Sequence, residues 1–156
     1  MMINNTNMLY QNSSNELMQA KNYQSQISQK EFEIKLMDIN SKYSSNSNIE
    51  PDYITNLQRQ SVKLDINNLA YNRNMHLCNA IDSALDLAMS EAQDSVFYSM
   101  AYLAISSINS FIRMQNDVNF NLPFNIAVKL SQAYLQITNV LLKNEISTLK
   151  QAFNVI

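Results

Sequence analysis

Apolar residues recur at intervals of three and four along most of this chain, which is the spacing of one face of an α-helix. The first such segment follows Ser13 and Glu16, a pair with capping-box spacing, so the pattern predicts a helix over 15–43. Two adjacent apolar rows define its face: Ala20, Tyr23, Ile27, Ile34 and Met37, with Phe32, Leu36, Ile39 and Tyr43. Residues 1–14 are rich in Asn and Ser, so we expect a flexible N-terminal arm there.

A second helical pattern begins near Pro51, which suits a first helical turn because its fixed φ is already helical. The pattern predicts a helix over about 52–92. Its main apolar row has heptad spacing, interrupted by Ser61, Asn68 and Asp82: Ile54, Leu57, Leu64, Tyr71, Met75, Cys78, Leu85 and Met89. No strong helix breaker lies between 52 and 116. This range therefore forms either one very long helix or two helices with a soft break near 90–95.

The third predicted helix covers about 95–116, and its residues 96–114 are apolar on nearly all sides. That pattern predicts a helix buried in the centre of the protein. A membrane-facing helix is the alternative, because about 20 apolar residues can cross a bilayer. Polar side chains in the segment favour burial against protein: Ser99, Ser106, Ser107, Asn109, Ser110 and Arg113.

The fourth predicted helix covers about 123–154 and begins at Pro123, because the residue before a proline is disfavoured in helical geometry. Two apolar rows run along it: Leu130, Tyr134, Ile137 and Leu141, and also Leu135, Leu142, Ile146, Leu149, Phe153 and Ile156. Because the second row continues to Ile156, we expect this end of the chain to be docked in a groove of its own bundle or of another chain.

The chain contains no glycine in its 156 residues, whereas average proteins contain about 7%. Glycine supplies the positive-φ backbone of tight hairpins and phosphate-binding loops, while helix interiors disfavour it. Together with the periodicity, this absence predicts an all-α fold. We expect a helical bundle, or extended helical hairpins, of three to four amphipathic helices in a single domain over 15–156.

Charged residues make up only 15% of the chain, the net charge is −2, and polarity comes mainly from 23 Asn, 12 Gln and 18 Ser. The 11 Lys and Arg residues are scattered, so we expect no nucleic-acid partner. Residues 1–15 lack the positive and apolar regions of a cleaved signal peptide. We therefore expect a cytoplasmic protein, or one exported without a cleaved signal peptide.

Few residues of this chain are of the types that act in catalysis or bind metal ions. His76 and Cys78 are the only histidine and the only cysteine, and residues two apart in a helix point in different directions. Such a pair cannot fill a zinc site or form a catalytic dyad by proximity in sequence alone. Asp82 and Asp86 share a helix face and predict a solvated acidic surface or a docking site for a basic partner. We predict no catalytic, cofactor-binding or metal-binding residue, and no cofactor.

The segment 96–121 resembles the small helical subunits of bacterial R-bodies, the coiled ribbons of the killing-trait family. Those proteins carry an alanine-rich helix, a glutamine-rich run and an Asn-Ile-Thr-like step. The comparable residues here read MAYLAISSINSFIRMQNDVNFN, with Gln115, Asn116, Val118 and Asn119 near the end and the glutamine run reduced to one residue. The resemblance implies an insoluble ribbon subunit without an enzymatic site.

These patterns predict a non-enzymatic structural or interaction protein that self-assembles, or packs with another helical protein, through apolar stripes. The composition is analogous to that of secretion needle and filament subunits. The side chains expected to mediate the interaction are Leu135, Leu142, Ile146, Leu149, Phe153, Tyr98, Tyr102 and Phe111. Two alternatives stay open: a secreted or membrane-active helical effector that uses the apolar helix 96–114, and a small helical chaperone or adaptor with a methionine-rich binding face. Membrane contact is possible under the first alternative but is not favoured.

Overall fold

The computed structural model of this protein describes residues 2–43, 50–90, 95–115 and 120–156. Those residues form five α-helices and no strand: α1 (Met2–Tyr43), α2 (Glu50–Ala88), α3 (Ser95–Met114), α4 (Phe124–Gln136) and α5 (Val140–Ala152). The all-α prediction is confirmed. The predicted number of three to four helices is wrong, because the last predicted helix is two helices.

The helices group into two compact units. Unit 1 consists of Met1–Gln19 and Asn74–Ile156, and unit 2 consists of Ala20–Arg73. Unit 2 therefore contains the C-terminal part of α1 and the N-terminal part of α2. Unit 1 contains the opposite ends of those helices together with α3, α4 and α5.

The N-terminal arm predicted for residues 1–14 is helical from Met2 onward, so the predicted helix start at residue 15 is wrong. The side chains of Thr6, Ser13 and Leu17 are buried at a spacing of seven and four residues, which places them on one face of α1. Ser13 does not cap the helix. Its hydroxyl donates a hydrogen bond to the carbonyl oxygen of Ala80 in α2, at 2.9 Å. Two of the three buried residues on this face, Thr6 and Ser13, are small and polar, so the apolar pattern of the sequence does not include them.

Unit 2 is an antiparallel pair of helical segments. In the described part of unit 2, polar contacts link α1 to α2 at three levels, and the residue number rises along α1 while it falls along α2. The contacts are Gln24 with Arg73 (2.6 Å), Lys30 with Asp65 (3.9 Å), and Asp38 with Arg59. The two ion pairs, Lys30 with Asp65 and Asp38 with Arg59, are partly exposed and contribute only about 0–1 kcal/mol each, so they fix the alignment of the two segments more than they stabilise it.

Unit 1 has the main hydrophobic core, and one broad face of the end of α2 is buried in it, whereas the opposite face carries the half-exposed Asp82 and Asp86. Its buried apolar residues on α2 are Leu77, Ala80, Ile81, Ala84, Leu85, Leu87 and Ala88. Helix α5 packs against both α3 and α4. The aromatic ring of Phe153, just after α5, meets that of Phe120 edge to face at 5.2 Å.

The chain forms two helices between residues 52 and 116, which is the second of the two predicted alternatives. Helix α2 ends at Ala88 and α3 begins at Ser95, close to the predicted soft break. Residues 91–94 of that break lie outside the described part of the chain, as do residues 116–119 at the end of the predicted third helix.

Helix α3 is buried on one face only, whereas its apolar residues on nearly all sides predicted a helix buried in the centre of the protein. Ala101, Ile105 and Ile108 are fully buried or nearly so. The opposite face is exposed and carries Val96, Ser99, Leu103, Ser107 and Ser110. One polar residue, Asn109, lies on the buried side, where its amide nitrogen donates to the carbonyl and the carboxylate of Glu145 in α5, at 2.9 Å each.

The helix predicted over 123–154 is interrupted at residues 137–139 without glycine or proline. Ile137 takes an extended conformation and remains buried, so the break carries its side chain into the core. Asn139 then caps α5, because its side-chain oxygen accepts a hydrogen bond from the backbone N–H of Leu142 at 3.1 Å. Each of the two apolar rows that were predicted along a single helix is therefore divided between α4 and α5.

Candidate interaction surface

An exposed apolar stripe runs along α2 within unit 2. It consists of Ile54, Leu57, Leu64 and Tyr71, whose side chains are 54%, 49%, 62% and 66% exposed, with Ser61 and Asn68 between them. These six residues, the α2 stripe, alternate in steps of three and four. That is the spacing of a coiled-coil seam, in which apolar positions a and d repeat every seven residues.

The C-terminal part of the α2 stripe faces away from α1, and its N-terminal part lies to one side. Val62 and Arg73 are the buried residues of α2 in unit 2, and Arg73 contacts Gln24 of α1. At 3.6 residues per turn, Leu64 and Tyr71 are rotated by about 180–200° from Val62 around the helix axis. The hairpin of unit 2 therefore leaves this face of α2 uncovered.

Unit 2 has few buried apolar side chains of its own. In its described part they are Ala20, Ile27 and Val62. Its exposed large apolar residues are more numerous: Phe32, Leu36, Ile39, Tyr53, Ile54, Leu57, Leu64 and Tyr71. Rows of exposed apolar residues along one helix, such as the α2 stripe, mark an interaction site more often than single exposed apolar residues do.

The flanks of the α2 stripe are nearly neutral. In the heptad register with Ile54 at position a, the flanking e and g positions are Tyr53, Gln58, Gln60, Asp65, Asn67 and Asn72. Asp65 is the only charged residue among them, and its carboxylate lies 3.9 Å from the ammonium group of Lys30 in α1. A second helix approaching the stripe therefore meets amides and little net charge.

Most of the interaction residues predicted from the sequence are core residues of unit 1. Five are buried: Phe111, Leu142, Ile146, Leu149 and Phe153. Tyr98 and Tyr102 are half-buried on α3. Leu135 alone among the eight is well exposed, at 77% on α4. The predicted row from Leu135 to Phe153 is thus not one free surface, because the break at 137–139 separates Leu135 from the rest.

The α2 stripe itself was visible in the sequence as a heptad row but was not predicted as an interaction site. Leu85, in the same row, is fully buried in unit 1, whereas Leu57 and Leu64 are exposed. Periodicity identifies the face of a helix but does not say which part of that face is covered. Ser61 and Asn68 were the available signal, because polar residues inside an apolar row are characteristic of a seam between chains.

His76 and Cys78 have different surroundings. The Nδ1 atom of His76 lies 2.5 Å from a carboxylate oxygen of Glu16 in α1. Cys78 is half-buried, and burial raises the pKa of its thiol to about 11. A thiol that is this hard to deprotonate is a poor nucleophile and metal ligand at neutral pH.

Asp82 and Asp86 hold a cation of their own chain. The ammonium group of Lys129 in α4 lies 2.6 Å from Asp82 and 2.8 Å from Asp86. Burial of Lys129 lowers its pKa, but the hydrogen bonds and charges of the two carboxylates outweigh that effect, and the pKa is raised overall. No local pattern reveals this contact, because the lysine lies more than 40 residues away.

Two further features bear on the alternative functions. Within the described part of the chain, no group of three or more His, Cys, Asp or Glu side chains is arranged to hold a metal ion. Over the same residues, no helix combines the length and apolar character needed to cross a bilayer.

Comparisons with models of protein families, with curated proteins and with solved structures found no match to this chain. The resemblance of residues 96–121 to R-body subunits therefore stays a prediction. Of the residues that carry it, Gln115 is described by the structure, whereas Asn116, Val118 and Asn119 lie outside the described part.

Proposed function

We propose that this chain is a non-enzymatic structural or interaction protein that associates with another helix through the α2 stripe. The observation that supports this proposal is the exposure of Leu57, Leu64 and Tyr71 on the face of α2 opposite α1. Burying a leucine-sized side chain contributes about 1.5–3 kcal/mol. Because the four apolar side chains of the stripe are 49–66% exposed, a partner helix seated on it gains about half of that energy at each of them.

The composition of unit 2 strengthens the proposal. A hairpin with three buried apolar residues in its described part gains little stability from its own interior. A partner that covers the α2 stripe supplies the missing apolar contact and stabilises the hairpin as it binds. In this proposal, binding of the partner to the α2 stripe therefore also raises the stability of unit 2.

Site-specific photo-crosslinking in the cells that produce the protein tests this function. A photoreactive phenylalanine analogue replaces Leu64 in one variant and Lys63 in another. Both positions are exposed, but Lys63 is displaced from the stripe by about 100° of helix rotation. We expect adducts of higher mass at position 64 and far fewer at position 63. Equal labelling at both positions, or none at position 64, contradicts the proposed function.

A further inference from the structure

We propose that the occupant of the α2 stripe is the same stripe of a second copy of this chain, in a parallel and in-register two-stranded coiled coil. This inference rests on the proposed function and specifies its partner. It follows from which residues occupy which heptad positions, from the pairing that Asn68 permits, and from the charge along the flanks.

The heptad assignment of the α2 stripe matches a two-stranded coiled coil. Ile54, Ser61 and Asn68 occupy successive a positions, and Leu57, Leu64 and Tyr71 occupy successive d positions. One a position carries a β-branched residue, Ile54, and two d positions carry leucine, which is the combination that favours parallel dimers over trimers and tetramers. The stripe spans 18 residues, or about 27 Å of helix.

Asn68 selects the orientation and the register. In a parallel, in-register pair, Asn68 lies beside Asn68 of the second copy, and their amides can hydrogen-bond to each other. In an antiparallel pair with full overlap, Asn68 faces Leu57 and Ser61 faces Leu64, which leaves polar groups buried against apolar side chains. Because buried polar groups without partners are unfavourable, the parallel register is preferred.

The flanks admit a second copy without repulsion. In a parallel coiled coil, position g of one helix lies near position e of the next heptad of the other helix. These positions bring Tyr53 near Gln58, Gln60 near Asp65, and Asn67 near Asn72. No pair brings like charges together, so two copies of this surface are electrostatically compatible.

Disulfide trapping distinguishes the possible arrangements. In a Cys78→Ser background, which removes the only native thiol, Ile54→Cys and Tyr71→Cys are made as separate single variants. We expect each variant to form a disulfide-linked dimer with itself under mild oxidation. A mixture of the two is expected to give little of the mixed dimer. Positions 54 and 71 lie about 25 Å apart along a helix, whereas disulfide-linked Cα atoms lie about 4.4–6.8 Å apart.

Lys63→Cys in the same background is the matched control, because it is exposed on α2 but lies outside the stripe. We expect its dimer to form at least about tenfold more slowly. Preferential formation of the mixed dimer between the Ile54→Cys and Tyr71→Cys variants would overturn the parallel arrangement. Equal rates for all three variants would overturn the use of the stripe.

Light scattering on the native chain is the second measurement. We expect the mass of two chains of 17.9 kDa each, and a shift toward higher oligomers for Asn68→Leu but not for Asn67→Leu. A monomer at all concentrations tested overturns the second copy as partner. If a different protein is crosslinked at Leu64 in cells, the proposed function stands and only this inference fails. If no adduct forms there, both fail.

Discussion

A chain without glycine must end its helices by other means, and Asn154 shows how one of them ends. Asn154 has a φ of 54°, the left-handed region that glycine usually occupies after a helix. The N–H of Val155 donates to the carbonyl of Lys150 at 2.9 Å, and the N–H of Asn154 donates to that of Gln151 at 3.2 Å. These two hydrogen bonds form a Schellman motif. Asparagine serves here because it tolerates the left-handed region better than other residues with a side chain.

Replacing Asn154 tests this helix end. Asn154→Ala is expected to lower the free energy of unfolding by about 1 kcal/mol, because alanine is disfavoured at positive φ. Asn154→Gly is expected to leave it unchanged or to raise it slightly. Urea unfolding followed by circular dichroism measures both variants. A loss of stability on changing to glycine would show that the side chain itself, rather than the backbone conformation, matters at this position.

The burial of Cys78 leads to a prediction about its reactivity. A pKa of about 11 instead of 9.0 lowers the thiolate fraction near pH 8 by about a hundredfold. We therefore expect the native protein to react with an aromatic disulfide reagent about a hundred times more slowly than the urea-unfolded chain. Cys78 is the only cysteine, so the absorbance of the released thiolate reports on this site alone. Equal native and unfolded rates would contradict the assigned burial.

At the scale of the element, the sequence predicts which segments are helical and about how far they extend. It does not predict a helix end that falls inside an uninterrupted apolar pattern. The predicted start at Pro123 and the break near 90–95 lie close to the observed ends, because a proline and a cluster of polar residues mark them. The break at 137–139 carries no such mark. It depends on the cap that Asn139 supplies locally and on the burial of Ile137, which is a property of the packed bundle.

Burial on α4 and α5 also decides which leucines stabilise the protein. Leu149 is fully buried on α5, whereas Leu135 is 77% exposed on α4. Leu149→Ala is expected to lower the free energy of unfolding by about 2–5 kcal/mol, because it opens a cavity. Leu135→Ala is the control and is expected to change stability little.

Urea unfolding and light scattering on these two variants separate a core role from an assembly role. If Leu149 belongs to the core, its variant keeps the native mass distribution while its stability falls. A lower oligomer mass for Leu149→Ala, without a comparable loss of stability, would restore the assembly role predicted for this row from the sequence.

At the scale of the whole molecule, the sequence predicted the all-α fold class. It did not predict which apolar side chains are buried and which remain exposed. The same heptad row of α2 is exposed at Leu57 and Leu64 in unit 2 and fully buried at Leu85 in unit 1. In unit 1, α1 contacts the end of α2 through Ser13 and Ala80, and α4 contacts it through Lys129 and Asp82. That environment comes from residues distant in sequence, which a periodic pattern does not encode. The pairing of Lys129 with Asp82 and Asp86 escaped prediction for the same reason.

The two raised pKa values predict how the stability of the protein responds to alkali. The Cys78 thiol is neutral below its pKa, which is about 11 in the folded chain and 9.0 ordinarily. As pH rises through 9.0, the unfolded chain releases this proton first, so unfolding becomes more favourable. Lys129 contributes in the same direction, because its pairing with Asp82 and Asp86 is fully present below its ordinary pKa of 10.5 and is lost as pH rises through its raised folded value.

We therefore expect the free energy of unfolding to fall from about pH 9 upward, and to fall less steeply in Cys78→Ser and in Lys129→Met. The first substitution removes the thiol, and the second removes the charge while keeping most of the aliphatic stem. Lys63→Met, on the exposed surface of α2, is the control and is expected to keep the native pH dependence. Urea unfolding at intervals between about pH 8 and about pH 11 measures the slopes. Identical slopes in all four proteins would show that neither group governs the alkaline loss of stability. In that case the environments assigned to Cys78 and Lys129 would be wrong.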